Sequence, residues 1–108
     1  MAANIVQINF RLNVPADEYE RIATPLGDAF ASVDGLQWKI WLLNPAEKEA
    51  GGIYLFRDAA AVDAFLTGPL AAQVKAAPFL RDLSVKRFEV MDELTAATRG
   101  PVATVVSA

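Results

Sequence analysis

Three observations predict a single α+β domain built on an antiparallel sheet. The hydrophobic pattern switches between period two and helical spacing in the order strand, helix, strand, strand, helix, strand. Only a short polar connection joins the middle two strands, which makes them an antiparallel hairpin. The chain has 108 residues, 54% of them hydrophobic, enough for one real core.

The first strand is "NIVQINFRLN". Val6, Ile8, Phe10 and Leu12 fall on one face, and Gln7, Asn9 and Arg11 fall on the other with Ile5. Val14-Pro15 stops it, because proline cannot donate to a ladder. From Pro15 to Val33, Tyr19, Ile22, Leu26, Phe30 and Val33 recur at helical spacing, with Asp17 and Glu18 at the positive end of the dipole. Pro25 interrupts that helix, and Thr24-Pro25 reads as a cap and restart. The result is either two helical pieces on one sheet or a kink that walls a pocket.

"LQWKIWLL", Leu36 to Leu43, is the second strand and holds both tryptophans. Strict alternation places Leu36, Trp38, Ile40 and Leu42 on one face and Gln37, Lys39, Trp41 and Leu43 on the other. After "NPAEKEAGG", the stretch "AGGIYLFR" is the third strand. Asp58 caps the next helix, with Val62, Phe65 and Leu66 as its apolar stripe; Gly68-Pro69 interrupts it, and a further piece stops at Pro78. "LSVKRFEVM" is the fourth strand, with Phe88 and Val90 on one side and Val85, Arg87 and Glu89 on the other. "DELTAATR" is a short helix capped by Asp92, and "VATVVSA" is a candidate extra strand. The domain spans residues 1–99, and residues 100–108 form a C-terminal tail.

This order is the ferredoxin-like βαββαβ arrangement, with helices on one sheet face. The other face would carry Ile5, Trp41, Leu43 and Val85, more apolar surface than a monomer usually exposes. A homodimer with its sheets packed face to face, closing a dimeric α+β barrel, resolves this. Trp41 is then an interface anchor, with Gln7, Asn9 and Glu89 in or at the rim of the interface. Trp38 points under the helices beside Phe10, as core or as a pocket wall.

Cysteine and histidine are both absent, which excludes disulfides, thiolate chemistry and a histidine base or metal ligand. Net charge is −3 with no basic stripe, so no nucleic-acid partner is expected. "MAANIVQINF" has no signal-peptide character, and no apolar run reaches the ~20 residues of a membrane span. A cytoplasmic protein with no membrane partner is expected. No metal spacing, GxGxxG or P-loop occurs; "AGG" precedes a strand rather than a helix. Asp58 and Asp63 lie five residues apart on one helix and do not face each other. The polar groups with chemical range are Lys39, Arg87 and Tyr54. Burial would lower the Lys39 pKa, making it a base or a phenolate-orienting group; an interface ion pair with Glu89 is the alternative.

"LQWKIWLL" followed by "EAGGIYLF", with "VQINFRLN", the Phe65 helix and "VKRFEV" before "DEL", resembles the YdhR-like family of monooxygenases. The resemblance runs to about Thr98. It implies a dimeric α+β barrel and kinship with small monooxygenases that oxidise anthrone-like intermediates with dioxygen and no cofactor, in a pocket between sheet and helices. Relatives that degrade haem use an axial histidine, which this chain lacks. The resemblance points to a small aromatic or polycyclic phenolic substrate. Phe10, Trp38, Tyr54 and Phe56 are the candidate substrate-binding residues, and Lys39 and Arg87 the candidate catalytic ones. A non-redox isomerase or dehydratase, or an aromatic-binding stress-related protein without chemistry, is the alternative.

Overall fold

The computed structural model describes residues 3–102. Four strands form one antiparallel sheet in the order β2-β3-β1-β4, with β1 at Asn4–Leu12, β2 at Leu36–Asn44, β3 at Glu49–Phe56 and β4 at Leu80–Glu89. This is the ferredoxin-like α+β arrangement. Helices α1 (Ala16–Ala23), α2 (Gly27–Ala31), α3 (Ala59–Leu66) and α4 (Pro69–Ala76) cover one face, and α5 (Asp92–Ala97) follows β4. The core lies between them: Val6, Ile8, Phe10 and Leu12 of β1 pack with Tyr54 and Phe56 of β3 against Tyr19, Phe30, Val62 and Phe65. No described helix is long and apolar enough to cross a membrane.

Pro25 acts as a break. The chain passes from α1 through a 3-10 turn, Thr24–Leu26, into α2. Thr24 does not cap the second piece; its Oγ1 donates back to Glu20 O at 2.7 Å. Asp58 does cap α3, its side chain accepting from Ala61 N at 2.9 Å. Asp92 sits in the first turn of α5 rather than capping it, since Met91 is the N-cap.

Two β-bulges decide which side chains face the helices, and both reverse the expected phase. In β2, Leu36 pairs with Phe56 and Trp38 with Leu55, so Gln37 is an extra residue. One inserted residue flips every side chain beyond it. Leu36 keeps the helix side, but Lys39, Trp41 and Leu43 follow it there, opposite Tyr54, Gly52 and Ala50. Trp38, Ile40 and Leu42 face the open side. Trp38 therefore does not lie under the helices, and Trp41 does not lie on the open face. In β4, Asp82 and Leu83 lie opposite the single Phe10 between the pairs Asn9–Ser84 and Arg11–Arg81, with Asp82 at φ 56°. Val85, Arg87 and Glu89 consequently take the helix-side phase, opposite Ile8, Val6 and Asn4, and Phe88 takes the open side. Glu89 and Trp41 are thus out of phase with an open-face interface. Lys39 and Glu89 stand on opposite edges of the sheet and form no pair.

The open face carries Ile5, Gln7, Asn9, Trp38, Ile40 and Phe88. Gln7 Nε2 donates to Asn9 Oδ1 at 3.0 Å. Leu55 is on this side yet fully buried. Beyond β4 the chain returns across that end, and Pro101 O accepts from Trp38 Nε1 at 2.7 Å. The extra strand expected in "VATVVSA" falls, from Ala103 onward, outside the described residues.

Candidate active site

The bulge at Gln37 puts the Lys39 side chain between sheet and helices. Its ammonium lies 3.3 Å from the Trp41 ring centroid, 3.6 Å from Phe30 and 4.6 Å from Tyr54. Phe30 comes from α2 and stands edge-on to Trp41, with centroids 5.3 Å apart. The amine thus sits in an aromatic cage built from β2, β3 and α2.

Gly52 makes this path possible. A Cβ there would come within 2.8 Å of Lys39 Cε and 3.2 Å of Tyr54 Cε1, so the lysine runs through space a side chain would fill. Its neighbour Gly51 has a different reason to be glycine. A Cβ on Gly51 would land on the Ile8 carbonyl oxygen, so β1 and β3 approach there only without one.

Beside the cage is a narrow cavity of about 20 Å³, whose walls include Phe10, Tyr19, Phe30, Lys39, Trp41 and Tyr54. Burial lowers the Lys39 pKa from 10.5 to about 7. The ring faces act in the opposite sense, since they attract the charged form. Burial pushes both tyrosines up, and at Tyr54 the charge of a nearby ionised Tyr19 adds to the effect of burial. Among the described residues, the Lys39 amine and the two phenols have no hydrogen-bond partner in the chain. No buried side-chain oxygen or nitrogen is left unpaired either, so all three polar atoms keep accessible surface. A neutral amine and two neutral phenols bordering one small apolar space can take a proton from an acidic ligand and solvate the anion that forms.

Two wider clefts reach the surface on either side of Trp41. One, of about 350 Å³, runs between α1 and β2 past Glu20, Thr24, Gly27 and Leu43. The other, of about 230 Å³, runs past Gly27, Phe30, Gln37 and Trp38 and is bordered by Lys39 as well. The kink at Pro25 therefore does both things left open by its sequence: it makes two helical pieces, and its Gly27 borders both clefts.

Phe10, Tyr54 and Lys39 come together at this cavity. Phe56 stands behind Tyr54, fully buried and stacked on it with centroids 6.3 Å apart. Trp38 is on the other sheet face and meets the site only at the β2 edge, where it borders the smaller cleft. Arg87 is on the helix side but three strand positions from β2, about 14 Å across the sheet. There its Nη1 donates to Asp63 Oδ1 of α3 at 2.7 Å. Tyr19, Phe30 and Gly52 were not singled out as site residues by the sequence. The signal for Tyr19 is its polar tip on an otherwise apolar helix stripe, since a buried phenol must find some use for its hydroxyl.

No curated protein matches the chain. Among solved structures it is similar to the NE2512 protein of unknown function from Nitrosomonas europaea, with a TM-score of 0.71 and 16% identity over 100% of this chain and 98% of that one. It is also similar to SnoaB, a cofactor-independent oxygenase from Streptomyces nogalater, with a TM-score of 0.67 and 17% identity over 87% and 98% of the two chains. A haem-degrader, MhuD from Mycobacterium tuberculosis, solved with two haems in its active site, gives a TM-score of 0.63 and 24% identity over 81% and 95%. At these identities the likeness concerns the fold. Residues 5–101 match the family described as "Putative mono-oxygenase ydhR", and the chain belongs to that family.

Proposed function

We propose that the protein is a cofactor-independent monooxygenase acting on a phenolic polycycle with an acidic C–H or O–H group, of the anthrone kind. The Lys39 cage carries this reading: an amine with its pKa near 7, held against three ring faces and flanked by two phenols, on the side of the sheet where the clefts open. Family membership and the fold shared with a cofactor-independent oxygenase support it.

In this scheme neutral Lys39 takes the proton from the substrate, and the ammonium so formed stays beside the new anion. Tyr19 and Tyr54 donate hydrogen bonds to the anionic oxygen. The electron-rich anion passes one electron to dioxygen. The resulting radical and superoxide combine at carbon to give a peroxide anion. Lys39 returns its proton, the hydroperoxide loses water, and a carbonyl replaces the methylene. One substrate and one dioxygen give one quinone-type product and one water.

A homodimer belongs to the same reading. Ile40 and Phe88 are each 48% exposed on the open face, and a second sheet packed on the first would cover them. The reactive groups come from one chain and face away from that contact.

The test is oxygen uptake by cofactor-free protein given anthrones, hydroquinones and naphthols. Uptake above the spontaneous rate, with a quinone product and loss of activity in Lys39→Met, is the expected result. Substrate C–H exchange with deuterated water under anaerobic conditions, without uptake in air, would replace oxygenation with proton-transfer chemistry at the same lysine.

A further inference from the structure

The cavity beside Lys39, about 20 Å³, holds little more than a water molecule. Lys39 also borders the 230 Å³ cleft, but a polycyclic ligand cannot span that cleft, the cavity and the 350 Å³ cleft together unless a wall moves. Of the rings around the cavity, Phe30, Tyr54, Phe10 and Tyr19 are buried to within 3–7% exposure and Phe79 is part-buried, whereas Trp41, at 40%, is the most exposed. Trp41 also stands on β2, an edge strand with no neighbour beyond it. The two surface clefts, of about 350 and 230 Å³, have Trp41 and Gly27 in common. Across from the indole, a Cβ built on Gly27 would meet nothing within 4 Å.

We infer that the two clefts are halves of one binding site for a flat polycyclic ligand, and that the Trp41 indole is the door between them. Rotation of the indole toward the open space at Gly27 joins both clefts to the Lys39 cavity. The joined space falls in the range of small-molecule sites, about 300–1,000 Å³. In the closed position the indole is held by its edge contact with Phe30 and by the Lys39 ammonium on its face. The ligand reaches Lys39 across the β2 edge, between that strand and α1–α2. This inference rests on the oxygenase reading for its ligand class.

The test uses 1,8-dihydroxyanthraquinone, a flat tricycle that is already oxidised and needs no turnover, followed by its visible absorbance in stopped flow. A door predicts that Trp41→Ala speeds association and dissociation together, each by about tenfold, the size expected from losing the ring–ring and ring–cation contacts that hold the indole shut. Gly27→Phe, which fills the space the indole needs, slows association by about tenfold or more, with an unchanged circular dichroism spectrum. A change in dissociation alone would make Trp41 a fixed wall and overturn the inference, as would an inert Gly27→Phe or a wild-type protein that does not bind the probe. The outcomes separate from those of the oxygenase reading. Door kinetics without oxygen uptake keep the site and remove the oxygenation; uptake with unchanged probe kinetics does the reverse.

Discussion

The Lys39 amine lies 3.3 Å from the centroid of the Trp41 ring, two residues along the same strand. Both side chains are on the helix side, and the contact gives Lys39 a place that is cationic by geometry and costly by burial. Its pKa falls from 10.5 to about 7. Below pH 7 folded and unfolded chains both hold the proton, and the full cost of burying the ammonium is present. Between pH 7 and 10.5 the folded state has shed a proton that the unfolded state keeps, so stability rises with pH. Above 10.5 the cost is gone. Lys39→Met should therefore be more stable than wild type at pH 6, by about 3 kcal/mol once the part of the side chain that keeps water is discounted. That is roughly 10 °C or more in Tm for a domain of this size. The gap should close toward pH 10, a limit set because Tyr19 and Tyr54, with raised pKa values, destabilise the fold above it. Thermal melts across pH 6–9.5 check this; a constant gap would mean that Lys39 titrates normally.

Gly52 gives the amine its path, so a methyl group there should expel it. In Gly52→Ala the new Cβ would lie 2.8 Å from Lys39 Cε, and the flexible lysine is the partner that yields. The expected outcome is a Lys39 pKa that moves back toward 10.5, read from the Cε resonance in a carbon-13 lysine titration, with oxygen uptake lost in parallel. A Cε signal still titrating near 7 would show that the lysine does not run over Gly52.

Most of the fold was legible in the sequence, and the face assignment was not. Element order, the β2–β3 hairpin, the break at Pro25 and the Asp58 cap all follow from local chemistry. Which face Trp38 and Trp41 take depends on one extra residue, Gln37, and nothing in "LQWKIWLL" marks it as a bulge. The bulge at Asp82 and Leu83 inverts β4 in the same way, because each bulge answers to the register of a neighbouring strand rather than to its own pattern. Lys39 and Tyr54 were singled out for their polar groups and Phe10 for its strand face, and the structure brings the three to one cavity. Tyr19 and Phe30 were hidden within a helix stripe that reads as core.

Arg87 shows what that inversion does to a candidate. Its guanidinium is held by Asp63 and donates to Ala59 O at 3.5 Å, so it ties β4 to α3. With the two side chains 42% and 66% exposed, the ion pair is worth no more than about 1 kcal/mol. Arg87→Met should lower stability by that amount and leave oxygen uptake within about twofold of wild type, the scatter of a surface change. A loss of tenfold or more in uptake would return Arg87 to the chemistry.

Trp38 should now behave as an anchor for the returning chain. Trp38→Phe keeps a ring near Leu55 but removes the bond to Pro101 O. The expected cost is about 1 kcal/mol, with faster amide exchange confined to residues 92–101. Trp38 borders the smaller cleft at the β2 edge but is not a wall of the Lys39 cavity, so affinity for 1,8-dihydroxyanthraquinone should fall by no more than about threefold. A loss of probe affinity of about tenfold or more would make Trp38 a main wall of the site rather than an anchor for the returning chain.

The last expectation separates assembly from catalysis. Ile40 and Ile53 are cross-strand partners on the open face, and Phe88 lies on the same face opposite Ile5. If two sheets pack face to face, a lysine at Ile40 or Phe88 is buried between them without a partner, a cost of several kcal/mol per charge. Ile40→Lys and Phe88→Lys should each convert the dimer to a monomer at micromolar concentration by light scattering, and neither charge meets the helix-side core. Every reactive group of the proposed site comes from a single chain, so the monomeric variants should still take up oxygen at a rate per chain within a few-fold of wild type. A wild-type protein that is monomeric, or variants that remain dimeric, would rule out the open face as the contact. Monomers that fold but lose all uptake would show that the cage depends on the partner for its shape.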